Sequence, residues 1–131
     1  LTFAPRVAVK RAQHINIDMG ILAQEIHYKE DAPGYYDPDH YLRFRGVMYN
    51  YWKIGDNDGI GVILGAGPER DRVLDSGFKL GASASIAGTF GVYRNWQLGL
   101  RAAYDWRAKS DEIDGSGFNG RSAGIELIYR F

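Results

Sequence analysis

Apolar and polar residues alternate with a period of two along most of this chain, which is the pattern of β-strands with two unlike faces. The clearest run is Ser122–Phe131. Ala123, Ile125, Leu127, Tyr129 and Phe131 form one face, and Ser122, Gly124, Glu126, Ile128 and Arg130 form the other. Trp96–Trp106 sets Trp96, Leu98, Leu100, Ala102, Tyr104 and Trp106 against Gln97, Gly99, Arg101, Ala103 and Asp105. Phe78–Phe90 sets Phe78, Leu80, Ala82, Ala84, Ile86 and Phe90 against Lys79, Gly81, Ser83, Ser85 and Thr89. Ile60–Ala66 is Gly-rich with Ile60, Val62 and Leu64 on one face, and Tyr41–Trp52 alternates Leu42, Phe44, Met48 and Trp52 with Arg43, Arg45, Tyr49 and Tyr51. Ile15–Ala23 and a weaker run at Leu1–Lys10 complete about seven strands of roughly 9–12 residues, close to the length that crosses a bilayer at a tilt.

The links between these runs alternate in length. Short ones are Arg11-Ala12-Gln13, Gly55-Asp56-Asn57-Asp58-Gly59 and Val92-Tyr93-Arg94-Asn95, and long ones are Lys29–His40, Pro68–Ser76 and Lys109–Gly117. Outer-membrane barrels have short periplasmic turns and long outer loops. Aromatic residues also cap both ends of the apolar faces, as interfacial girdles do. The expected fold is therefore all-β: an antiparallel up-and-down transmembrane β-barrel, with residues 1–131 forming the C-terminal portion of one outer-membrane barrel domain. The last strand follows a long loop, so it runs inwards, and counting back gives the same direction to Leu1–Lys10. A barrel with both termini in the periplasm starts on an outward strand, so at least one further strand is expected before Leu1.

Composition narrows the class. Sixteen Lys and Arg balance 16 Asp and Glu, which argues against a nucleic-acid partner, since duplex binding draws on an excess of basic side chains. There is no Cys, hence no disulfide framework and no thiolate metal site. Nine Tyr, 17 Gly and 14% aromatics suit barrel strands. The mean hydropathy of −0.33 does not argue against a membrane, because alternating strands dilute the apolar signal. No stretch approaches the roughly 18 apolar residues of a membrane helix.

If the apolar faces meet lipid, the other faces line a lumen. The inward set contains Arg43, Arg45, Tyr49, Tyr51, Arg101, Asp105 and Glu126, with Asp18, Gln24, Lys79, Ser83, Ser85 and Arg130. Tyr49 and Tyr51 would offer planes on which sugar rings slide. The plainer reading is that the charges pair across neighbouring strands and fill the interior, with Arg101 and Glu126 as one such ladder pair. His14, His27 and His40 lie on different strands without His-x-x-x-His spacing and read as solvated surface residues, so no metal site is expected. No Ser stands in a motif with His and a carboxylate. The Asp-rich turn around Asp37-Pro38-Asp39 lacks EF-hand spacing, and Gly65-Ala66-Gly67 precedes no helix that would hold a phosphate. No enzyme activity and no cofactor are expected.

Gly34-Tyr35-Tyr36-Asp37-Pro38-Asp39-His40-Tyr41 resembles the Gly-Tyr-Phe-Ser-Pro-Gln-x-Tyr type of stretch in the C-terminal domain of the cellulose synthase operon protein C family. The order that follows is similar too: the Gly-rich run Gly59–Gly67, the Gly-Ala-Ser run Gly77–Gly91, the run Asn95-Trp96-Gln97-Leu98-Gly99-Leu100-Arg101-Ala102-Ala103-Tyr104-Asp105-Trp106, and a last strand ending Tyr129-Arg130-Phe131. The resemblance covers Gly34 to Phe131. It implies an outer-membrane porin that exports an exopolysaccharide, cellulose or a related glucan. The implied partners are the polysaccharide chain, outer-membrane lipid, the barrel assembly machinery, and periplasmic and inner-membrane synthase components. Asp37 and Asp39 depart from the family's Ser and Gln, which admits an exporter of another polysaccharide. The alternatives are a small barrel that anchors, with a packed lumen, and last an outer-membrane enzyme. Tyr129 and Phe131 resemble the C-terminal signal recognised in barrel assembly. Deleting Phe131 is therefore expected to lower the assembled fraction in outer-membrane preparations, measured by heat-shifted mobility on gels, and an unchanged fraction would remove that role.

Overall fold

The computed structural model describes residues 1–27, 40–56, 58–71, 75, 77–108 and 118–129. They form one antiparallel sheet of eight strands: β1 Thr2–Phe3, β2 Arg6–Arg11, β3 Ile15–Ile26, β4 Tyr41–Lys53, β5 Gly59–Asp71, β6 Lys79–Tyr93, β7 Trp96–Arg107 and β8 Phe118–Tyr129. The order is β1-β3-β4-β5-β6-β7-β8, with β2 also on β3. Each strand from β3 onwards pairs with the next in sequence. The sheet is all-β and up-and-down, and it is open, since β8 does not pair with β1 or β2.

β1 and β2 together occupy the run expected at Leu1–Lys10. Pro5 has no N–H to donate, so the strand breaks there and resumes. The Pro5 carbonyl accepts from the Ile21 N–H at 3.2 Å. It lies so close to Gly20 that any Cβ there would collide with it. A register shift between Ala8 and Lys10 bends the same edge, as bulges do.

The expected faces are present in every strand from β3 to β8. Several boundaries differ: β3 runs on to Ile26 and β8 begins at Phe118, and two further changes have a clear physical cause. β5 was expected to end at Ala66, with Pro68 opening a loop; it continues to Asp71. The ladder with β4 skips the positions opposite Gly67 and Pro68 and resumes at Arg43↔Glu69, so no partner requires a proline N–H. β6 likewise continues to Tyr93, leaving only Arg94-Asn95 as the link to β7. Arg94 takes φ 48°, which a two-residue hairpin link demands. Gly34–Asp39 and Lys109–Gly117 of the long links lie outside the described residues, as do Arg130 and Phe131.

Burial is inverted relative to a water-soluble domain. Among the described residues the buried hydrophobic set is Val47 alone, while Arg45, Asn50, Glu69, Asp71, Asp75, Gln97 and Arg107 are buried. Ile125 is 79% and Leu127 63% exposed, and Met19, Ile21, Leu64, Leu80, Ile86 and Leu100 lie bare on the same face. The apolar face has aromatics at its two ends: Phe44 meets Phe78 edge-on at 6.2 Å near the long connections, and Trp96 meets Tyr129 at 5.0 Å near the short links. The short-link end is also tied together across strands, since the Gly91 N–H donates to Asp58 Oδ1 at 2.7 Å. No helix of the described residues is long and apolar enough to cross a membrane, which says nothing about crossing by strands.

Close approach of β4 and β5 depends on Gly67. A Cβ there would strike the Phe44 carbonyl and lie 2.9 Å from Arg45 Cα, whereas one at Gly77 meets nothing within 4 Å. Gly67→Ala is therefore expected to destabilise the fold by about 1–3 kcal/mol, the usual cost of overpacking, and Gly77→Ala to leave it unchanged. Denaturant titration followed by circular dichroism measures both.

Candidate functional site

The middle of the inward face of β5 and β6 is built from small residues: Gly65 and Gly67 on one strand, Gly81, Ser83 and Ser85 on the other. The flanking strands carry long ones, Arg43 and Arg45 on β4 and Asp105 and Arg107 on β7. With a spacing of about 4.8 Å per strand, β4 and β7 would lie roughly 14 Å apart in a flat sheet. Arg45 nevertheless reaches Asp105, with Nη2 donating to Oδ1 at 3.0 Å and Nη1 to Oδ2 at 3.4 Å. The sheet is curled enough, and its floor low enough, for the two side chains to meet over the glycines. This is the concave side.

Glu69 stands at the centre of the contact. Its Oε2 accepts from Arg45 Nη2 at 2.8 Å and from Arg43 Nε at 3.2 Å, and Arg107 Nε lies 3.5 Å from its Oε1. The carboxylate rests on Gly81, whose missing Cβ leaves the room for it. Arg107 also pairs with Asp75, which accepts from the Asp71 N–H at 2.8 Å. The Arg43 and Arg107 guanidinium groups lie over the Tyr41 ring at 5.4 and 5.7 Å. Arg45 is 3% and Glu69 0% exposed. Charges so far from water persist only when paired, and here the guanidinium groups of Arg43, Arg45 and Arg107 meet the carboxylates of Glu69, Asp75 and Asp105. The lattice sits at the end where the long connections begin.

Below it the interior is more open. A groove of about 410 Å³ runs over Ile63, Ser83, Ser85, Ala103, Asp105 and Ser122. Tyr49 lies under the Arg6 guanidinium at 5.4 Å, and Tyr51, 45% exposed, lies against Gly59. Arg101 is exposed and covers Gly124; Glu126 covers Gly99. The register Gly99↔Glu126 and Arg101↔Gly124 puts the two side chains on a diagonal, each over the other strand's glycine. No ion pair joins them among the described residues. The structure thus gathers Arg43, Arg45 and Asp105 of the expected lumen residues into one network. Tyr49, Tyr51, Arg101 and Glu126 stay outside it. Glu69, Asp71, Asp75 and Arg107 were missed, although Gly67, Glu69 and Asp71 continue the period of two past Pro68.

A second cluster sits on the opposite face. The β3–β4 register pairs Ile26 with Tyr41, so one step further His27 faces His40. Their rings touch edge-on with centroids 4.3 Å apart. Glu25, two residues before His27, is within 2.6 Å of His40 Nε2 and 3.2 Å of His27 Nε2 through the same Oε1. The histidines expected to be scattered over different strands are thus, for two of the three, neighbours with a shared carboxylate.

No known protein family, curated protein or solved structure matches this chain.

The dependence of the curl on Glu69 is testable. Glu69→Ala leaves Arg43, Arg45 and Arg107 short of an acceptor in a buried site and is expected to cost about 3–5 kcal/mol. Arg101→Ala, at an exposed and unpaired position, is expected to cost under about 0.5 kcal/mol. Equal unfolding midpoints for the two variants would contradict the assignment.

Proposed function

We propose that this chain is part of an outer-membrane β-barrel whose polar interior passes an exopolysaccharide, cellulose or a related glucan, to the cell exterior. The observation that carries the reading is the inverted burial: Arg45, Glu69 and Arg107 inside, with Ile86, Leu100, Ile125 and Leu127 bare outside. A continuous apolar face on a single-layer sheet needs a cover, and lipid is the cover that matches a band of aliphatic side chains ending in aromatics. Strands β3 to β8 have 12 to 15 residues, enough to cross the hydrocarbon layer at a tilt. An open sheet edge in lipid would leave backbone groups unsatisfied at several kcal/mol each, so the edges at β1, β2 and β8 take partners in a closed barrel. A barrel of about eight strands fills its interior with side chains, so a channel for a sugar polymer takes more.

The resemblance of Gly34–Tyr41 and of the runs after it to the cellulose synthase operon protein C family supports the polysaccharide as cargo. In this reading a neutral polymer slides past Tyr49, Tyr51 and the groove over Ser83, Ser85 and Ser122, driven by synthesis on the inner side. No bond is made or broken and no cofactor takes part. Synthase components and the barrel assembly machinery are the protein partners. One observation favours an anchoring role instead: Arg43, Arg45, Glu69 and Asp105 pair with one another and so pack part of the interior.

Secretion separates the two. In cells that export polymer through the full-length protein, the double variant Tyr49→Ala/Tyr51→Ala is expected to assemble normally and to secrete several-fold less. Unchanged secretion would dismiss the stacking role. Absence of any conductance of the full-length protein in planar bilayers would turn the reading to anchoring.

A further inference from the structure

We propose that Glu25, His27 and His40 form a binding site for a divalent transition-metal ion of the zinc class, clamping the end of β3 to the start of β4. The site follows from sheet geometry. Directly opposed residues of an antiparallel pair have Cβ atoms about 4.5–5.5 Å apart, and residues two apart on a strand share a face. His27 and His40 are opposed, since they continue the register Ile26↔Tyr41 and Glu25↔Leu42 by one step. Glu25 stands beside them on the face of Ile21 and Ala23. Three side chains of different chain positions are thereby fixed on one spot by backbone pairing alone.

Their donor atoms converge. Both Nε2 atoms approach Glu25 Oε1, and one donor atom from each of the three residues lies within 4.8 Å of the others. A tetrahedral zinc ion with bonds near 2.0–2.1 Å holds its donors about 3.3 Å apart, close to the 2.6 and 3.2 Å found without an ion. His40 Nδ1 is buried and has no partner, so the ring's working atom is Nε2, which points at Glu25. Among the described residues the ion pairs of Glu25 are with these two histidines, and no Lys or Arg competes for the carboxylate. His27 is about half exposed, which leaves a side open for a water ligand. Two imidazoles with one carboxylate select borderline ions such as zinc over calcium and magnesium, which prefer all-oxygen shells. The inference does not depend on what passes through the interior. His27 and His40 flank residues 28–39, so a bound ion ties the two ends of that connection together.

The test uses the full-length protein in detergent, purified without a histidine tag. Cobalt(II) is titrated and followed by its visible absorption, then displaced by zinc. One equivalent is expected to bind with a tetrahedral spectrum. His27→Ala and His40→Ala are each expected to weaken binding about tenfold or more, roughly 1.4 kcal/mol, and Glu25→Gln to weaken it in the same direction. His14→Ala, away from the cluster, is expected to bind as the parent does. Heat-shifted gel mobility checks that each variant is folded. Absence of saturable binding in the parent, or equal binding by parent and the folded His27→Ala/His40→Ala double variant (an adventitious ion only), overturns the site.

Discussion

The ion pair between Arg45 and Asp105 spans three strand spacings, and most of what is particular to this sheet depends on it. Two side chains on β4 and β7 touch only if the strands between them present almost nothing inward and the sheet bends towards its concave side. Gly67 and Gly81 meet the first condition. Glu69 supports the second by accepting from Arg43 and Arg45 while lying over Gly81. Desolvated charges cost several kcal/mol each when unpaired. The lattice therefore acts as an all-or-none constraint: the strands hold this curvature, or six charges lose their partners.

The same constraint explains why the apolar side chains are left outside. A curled single layer has one interior, and here that interior is occupied by Arg, Glu, Asp and small residues. Most of the large apolar side chains go to the convex side, where the described residues form no second layer to meet them. In water such a surface would drive association. In a bilayer it is the favourable arrangement, with the aromatic pairs Phe44–Phe78 and Trp96–Tyr129 near its two ends. Transport and anchoring both accept this outer face, and they part company inside it. A charged lattice at one end and a groove over Ile63, Ser83, Ser85 and Ser122 below it divide the interior into a packed part and an open part.

Backbone register does more than join strands. It places His27 against His40 and Glu25 beside them, on the convex face where apolar residues otherwise prevail. It also sets Arg101 over Gly124 and Glu126 over Gly99, turning an expected ladder pair into two separate contacts with glycines. In each case the outcome turns on a one-residue offset, because a shift by one moves a side chain to the other face.

The antiparallel order and the two faces of β3 to β8 were legible in the chain itself, whereas the split of the first run into β1 and β2 was not. Alternation is a local property, and Leu98, Leu100 and Ala102 declare their side whatever lies next to them. The alternation of short and long links carried the up-and-down order for the same reason. The end of β5 was not legible, because Pro68 is a strand breaker wherever its N–H is needed, and only the lapse in the ladder with β4 shows that it is not needed here. Nor could the chain alone say which charges pair. Arg45 and Asp105 are separated by two strands of small residues, and it is the curvature of the assembled sheet that brings them within 3.0 Å. The meeting of His27 with His40 was likewise decided by register, since residues that far apart become neighbours only when two strands align.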